Sequence, residues 1–163
     1  MTEETWLVCH TKPRCEKKFA ALMRAEKFEH YLALVPSVRK YAGYSRTHTK
    51  PLFPGYVFAK VPDELRARIY QQDLLARAIV VTDPARFLRQ LDEVKRVVAS
   101  GLELSVMPLL ARGRRVRIMG GPLHGLEGLV EDPAKPEGVV ISVDVLQQGL
   151  LVKVSAGQLQ PLP

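Results

Sequence analysis

The chain has only two cysteines, Cys9 and Cys15, among its 163 residues. It therefore has neither a disulfide framework nor the paired ligands of a cysteine zinc site. No apolar run approaches the roughly 20 residues that span a bilayer. The stretch from Met1 to Trp6 contains Glu3 and Glu4 and no basic residue, so a secretory signal is not expected. Catalytic constellations are also missing. Cys9 and His10 are neighbours in a β-rich run, so their side chains should point to opposite faces and cannot act as nucleophile and base. His30, His48 and His124 have no metal-ligand spacing, Asp92 and Glu93 lack a second carboxylate cluster, and there is no phosphate-cradling glycine loop. With 47% hydrophobic and 25% charged residues, the composition also excludes collagen and wholesale disorder. The expectation is a soluble, reduced, cytoplasmic monomer that is not an enzyme and uses no cofactor, metal or membrane.

Acidic residues are the scarcer charge, 17 against 24 Lys and Arg, for a net +7. The excess is unevenly placed. Residues 1–105 hold 18 basic and 12 acidic residues, whereas residues 106–163 hold 6 and 5. The segment from Lys12 to Lys50 alone carries 10 basic residues against Glu16, Glu26 and Glu29. Such clustering suits a phosphate backbone, through counterion release, and equally suits a solvated basic face.

Trp6 to Thr11 reads as a first strand, and Pro13 as the opening turn of a helix reaching about Glu26. Phe19, Leu22 and Met23 would form its buried stripe, with Lys17, Arg24 and Lys27 opposite. Tyr31 to Val35 is a second apolar run. Ser37 to Lys50 is polar, basic and carries Tyr41 and Tyr44, which predicts a hairpin tip or a mobile loop. In that loop the two tyrosines could stack on unpaired bases or be incidental. Strands follow at Gly55–Lys60 and Ala78–Thr82. Helices are expected around Leu65 to Gln72 and through Leu91, Val94, Val97 and Val98, the last ending near Gly101. This order predicts an α+β domain over residues 1–101, a mostly antiparallel sheet flanked by helices. Residues 102–112 lack any period and contain Pro108, so they read as a linker. From 113 to 163 five short strands alternate with turns: Arg114–Ile118, Leu126–Val130, Val139–Val145, Leu150–Val154 and Gln158–Pro161. They predict a small five-stranded closed barrel.

Two motifs bear on identity. Gly113-Arg114-Arg115-Val116-Arg117-Ile118, followed by Gly120-Gly121-Pro122-Leu123-His124-Gly125-Leu126-Glu127-Gly128-Leu129-Val130, resembles the KOW motif. Upstream, Lys50-Pro51-Leu52-Phe53-Pro54-Gly55-Tyr56-Val57-Phe58 follows a Trp6-Leu7-Val8 strand and a helix containing Glu16. Taken together, nearly the whole chain resembles the NusG family, in which an NGN domain is joined by a linker to a KOW domain. The chain lacks the Gly-Val-x-Gly-Phe-like stretch that housekeeping members carry in the Asp73 to Asp83 region. Its Leu-Phe-Pro-Gly-Tyr-Val-Phe run looks more like the specialised, RfaH-like antiterminators.

The resemblance implies a transcription elongation or antitermination factor. Its NGN domain would bind the clamp helices of the RNA polymerase largest subunit and suppress pausing or termination. On that reading Tyr56 and Phe58 line the hydrophobic depression, with Phe53 as a further candidate and His10 at its edge. Lys12, Arg14, Lys17 and Arg24 would face non-template DNA or the upstream duplex. The KOW turn, with Gly121, Pro122, Leu123, Gly125, Leu126 and Gly128, would recruit a second protein, a small-subunit ribosomal protein or the Rho factor, with Leu123 and Leu126 as apolar contacts. A ribosome-associated, RNA-binding KOW protein is the alternative. It explains the basic charge and the barrel but leaves the Phe-Pro-Gly-Tyr-Val-Phe strand without a role.

Overall fold

The computed structural model describes residues 3–134 and 136–163, and of Val38 and Arg39 it describes only the backbone. The reading of Met1 and the basic charges of Arg39 and Lys135 therefore lie outside the described residues or side chains. The chain divides into two compact units, residues 1–84 and 85–163.

In chain order the first unit runs β1 (Glu4–Thr11), α1 (Glu16–Ala25), β2 (His30–Tyr31), β3 (Leu34–Tyr41), β4 (Tyr44–Pro51), β5 (Tyr56–Pro62), α2 (Arg66–Tyr70) and β6 (Leu75–Val80). Trp6, Leu7, Val8 and Cys9 are all buried, so β1 is apolar on both sides, as a central strand must be. It lies between β5 and β6 in an antiparallel sheet of order β2-β5-β1-β6. Leu7, Cys9, Val57, Ala59 and Val61 point to one face, where they pack with Phe19, Ala20 and Met23 of α1 and Ile69 of α2. The larger of these, Leu7, Val57, Val61, Phe19, Met23 and Ile69, each contribute about 1.5–3 kcal/mol by leaving water.

Local differences from the sequence expectation have local causes. Helix α1 starts at Glu16 rather than Pro13, because Arg14 takes a left-handed φ of 62° and Cys15 N–H donates to the Lys12 carbonyl in a turn before the helix. The basic segment is a long two-stranded hairpin, β3–β4, paired from Leu34↔Pro51 to Tyr41↔Tyr44. The apolar run at 31–35 is split: Tyr31 joins the main sheet opposite Phe58, and Leu34 opens the hairpin.

The second unit holds α3 (Pro84–Ala99), β7 (Leu104–Pro108), β8 (Arg114–Ile118), β9 (Glu127–Val130), β10 (Val139–Val143), β11 (Gln148–Val152) and β12 (Leu159–Pro161). Three polar ties explain why α3 groups with these strands. Arg86 pairs with Asp144, Asp144 N–H donates to Gln90 Oε1 at 2.9 Å, and Arg96 Nη2 donates to the His124 carbonyl at 3.1 Å. All five expected strands form, but the sheet has six strands in the order β12-β8-β9-β10-β11-β7. Residues 104–108 are not a structureless tether: they extend the sheet by pairing with β11. Nor is the expected closed barrel found, since no ladder joins the two ends of this order among the described residues. No helix among the described residues is long and apolar enough to cross a membrane.

Gly128 is a position where this sheet leaves no room for a side chain. A Cβ there would lie 2.4 Å from Val139 Cγ1 and 2.8 Å from the Val140 carbonyl oxygen. Gly128→Ala should therefore destabilise the protein by about 1–3 kcal/mol, whereas Gly157→Ala, with nothing within 4 Å of its new Cβ, should be near neutral. Urea unfolding of both variants checks this. Equal stability would contradict the close approach of β9 and β10.

Candidate functional site

The candidate site is built around the corner that leads into β5. Leu52 N–H donates to the Ala33 carbonyl at 2.8 Å, and Tyr56 N–H closes a turn onto the Phe53 carbonyl at 3.1 Å. Between them Gly55 adopts a φ of 88°. Its carbonyl accepts from Thr11 N–H at 2.8 Å, and its own N–H donates to Glu16 Oε2 at 3.1 Å. Glu16 is buried in the first turn of α1, where a carboxylate also gains from the helix dipole. A side chain at Gly55 is disfavoured twice over: the φ of 88° strains any residue with a Cβ, and that Cβ would come within 3.1 Å of the His10 ring and displace it.

With the corner held in this way, His10 stands opposite Tyr56 in the β1–β5 ladder. Their rings stack with centroids 4.8 Å apart and 15° between planes. Both are half-exposed. On the other side of β1, the exposed Arg77 stands opposite His10, so Tyr56, His10 and Arg77 form one row across three strands. The next row runs Tyr31, Phe58, Val8, Ile79. Ile79 is exposed and Tyr31 half-buried, and burial pushes the Tyr31 hydroxyl pKa up. The sheet face turned away from α1 and α2 is thus aromatic and apolar; it is buried at Val8 and Phe58 and accessible at the His10–Tyr56 end, at Ile79 and at Arg77.

Not every expected site residue lies at the surface. Phe58 and Phe53 are each only 2% exposed; Phe58 shares the face of Tyr56 but, like Val8 beside it, is buried there and presents no surface to a partner. Sequence reasoning missed Tyr31, Arg77 and Ile79, because only the strand register puts them beside His10 and Tyr56. Lys12, Arg14, Lys17 and Arg24 are all exposed, and Lys17 and Arg24, seven residues apart, lie on one side of α1. Lys17 Nζ also donates to the Thr49 carbonyl at 2.6 Å, which ties α1 to β4.

In the second unit, Gly121, Pro122 and Gly125 are exposed in the turn between β8 and β9, and Gly128 lies within β9. Leu123 and Leu126, expected as exposed contacts, are only 1% and 4% exposed. The turn folds inward: Gly125 N–H donates to the Ile118 carbonyl at 2.7 Å and Ile118 N–H to the Leu126 carbonyl at 2.8 Å, which carries both leucines into the core. Arg115 and Arg117 both pair with Glu127, at 3.2 and 2.7 Å, and the Arg117 hydrogen bond holds the Glu127 carboxyl below the usual range.

A protein-family model described as "Transcription termination factor nusG" matches residues 4–112. No curated protein matches the chain.

Cys9 lies on the helix side of β1, behind His10, and burial pushes its thiol pKa up to about 12 from its ordinary value of 9.0. The folded state therefore holds this proton more tightly than the unfolded chain does. The resulting stability is fully present below pH 9 and is lost as pH rises from 9 towards 12, by about 1.4 kcal/mol per unit. Over that window the urea stability of the protein should fall more steeply than that of Cys9→Ala. Parallel curves would contradict a buried, protonated thiol.

Proposed function

Because the chain belongs to the NusG family of transcription factors, we propose that its first domain docks on the clamp helices of the RNA polymerase largest subunit. Members of this family act on transcription elongation and antitermination by binding rather than by chemistry. The observation that carries the docking proposal is the exposed His10–Tyr56 stack, flanked by Ile79 and Arg77 on an otherwise apolar sheet face. An amphipathic helix pair is a natural occupant, because aromatic anchors in a groove supply most of the energy of such contacts. Phe58 and Phe53, both buried, support the accessible end of this face rather than contact a partner directly. Bridging the polymerase cleft in this way keeps the clamp closed around nucleic acid and suppresses pausing or termination.

The domain limits proposed are 1–101 for the NGN domain and 113–163 for the KOW domain, with the connecting residues 102–112 contributing β7 to the second sheet. The Leu-Phe-Pro-Gly-Tyr-Val-Phe run favours a specialised, RfaH-like antiterminator over a housekeeping member. Lys12, Arg14, Lys17 and Arg24 are assigned to non-template DNA or the upstream duplex, where exposed cations gain by counterion release. The KOW strands recruit a second protein, a small-subunit ribosomal protein or the Rho factor. Two of their arginines are already paired with Glu127, which leaves that surface poorly suited to phosphate. The exposed Gly121, Pro122 and Gly125 are the contact candidates there, with Leu123 and Leu126 supporting them from the core and Gly128 from within β9.

Tyr56→Ala should weaken binding to core RNA polymerase by about 2 kcal/mol, and His10→Ala should act in the same direction, with circular dichroism unchanged. Tyr70→Ala, an exposed tyrosine on α2, serves as the control and should have no effect. Unchanged affinity in the Tyr56 variant would rule out this surface.

Reversing charge at Lys12 and Arg24 should leave polymerase affinity intact and weaken association with a transcription bubble. The salt dependence should fall by about 1 in slope per lost phosphate contact. An unchanged slope would make the helix face a solvated one.

A further inference from the structure

The β3–β4 hairpin uses its aromatic residues differently from the rest of the first unit. From Glu29 to Asp63 the sequence contains no acidic residue in between. Every residue from Tyr41 to Lys50 is exposed. At the tip, Tyr41 and Tyr44 pair across the strands, and their rings stack with centroids 5.1 Å apart and 19° between planes. They remain 43% and 57% exposed, so the outer faces of the stacked rings are open to a ligand. The Arg46 guanidinium carbon lies 5.8 Å from the centroid of the Tyr44 ring.

Strand alternation then decides what surrounds the rings. Tyr44, Arg46, His48 and Lys50 share one side of β4, and Ser45, Thr47 and Thr49 share the other. The first side is therefore an aromatic step followed by a row of Arg, His and Lys about 6.7 Å apart. An extended nucleic-acid strand can follow such a row with a phosphate near each cation. A protein helix would ask instead for an apolar stripe, which β4 does not have. The base of the hairpin is held by Leu52 N–H on the Ala33 carbonyl and by Lys17 on the Thr49 carbonyl, so the tip projects from a fixed root.

We propose that the hairpin tip is a binding site for unpaired nucleotides. The outer face of the Tyr41–Tyr44 stack receives a base, and Arg46 and Lys50 hold the adjoining phosphates. This site uses different residues from the α1 cations and does not require the polymerase contact. Its selectivity follows from its chemistry: stacking needs a free base face, which single strands offer and the interior of a duplex does not. The shared ligand chemistry is a single strand of either sugar, so displaced DNA and nascent RNA are both sources.

The test is fluorescence anisotropy of the full chain, without polymerase, against a short mixed-sequence DNA strand, the same sequence as RNA, and its blunt duplex. The double variant Tyr41→Ala/Tyr44→Ala should lose about tenfold or more in affinity for single strands and change little on duplex. Tyr44→Phe should retain binding. Arg46→Ala with Lys50→Ala should weaken all three ligands and flatten their salt dependence. A larger effect with the RNA strand identifies the transcript as the source, and a larger effect with DNA identifies the displaced strand; either supports the proposal. No loss in the double alanine variant, or an equal loss on duplex, overturns it. If the double alanine variant keeps its oligonucleotide affinity but loses core polymerase in a separate pull-down, the proposal is also overturned and the tip is a protein contact. Because polymerase is absent from the anisotropy assay, failure of the docking reading would leave these outcomes distinguishable.

Discussion

The outer face of the first sheet depends on one register, the pairing of β1 with β5 that sets His10 opposite Tyr56. Side chains alternate along a strand, so a slip of one residue would exchange the two faces and send Tyr56 and Phe58 into the core beneath α1. The corner before β5 resists such a slip. Thr11 N–H binds the Gly55 carbonyl, Gly55 N–H binds the buried Glu16 carboxylate, and the His10 ring fills the space a Gly55 side chain would take. Three segments distant in sequence thus hold one another at a single point. Both the helix-side core and the aromatic face follow from it.

Electrostatics divides the remaining surface. Several cations are engaged within their own unit: Lys60 with Glu4, Arg68 with Glu26, Arg86 with Asp144, and both Arg115 and Arg117 with Glu127. Surface pairs of this kind add little stability, but they cancel charge locally. The uncompensated basic density is therefore concentrated on the start of α1 and along the acid-free hairpin, both in the first unit. The face proposed to meet polymerase and the basic surfaces belong to the same small sheet and its appendages, which suits a factor that contacts protein and nucleic acid together.

Much of this architecture was legible in the sequence. The apolar stripe of α1, the β-rich runs at 6–11 and 56–60, and all five strands after residue 113 follow from periodicity and turn residues. What was not legible depended on distant partners. Burial of Phe53 and Phe58, and of Leu123 and Leu126, needed knowledge of what packs above them, since an aromatic on a strand reads the same in a core or on a binding face. Tyr31, Arg77 and Ile79 entered the candidate site only through register. Residues 104–108 have no period because they form an edge strand with mixed exposure, and their pairing partner, β11, lies some forty residues further on. The left-handed Arg14, which delays the start of α1, leaves no compositional trace.

The central claim is that the end of the β1–β5 ladder is the surface that meets RNA polymerase. It is tested most directly by photo-crosslinking from a benzoylphenylalanine placed at position 56 of the full chain, mixed with core polymerase, with position 70 on α2 as reference. Position 56 should crosslink to the clamp helices of the largest subunit and position 70 should not. Crosslinks from position 56 to another subunit, or equal labelling from both positions, would contradict the account.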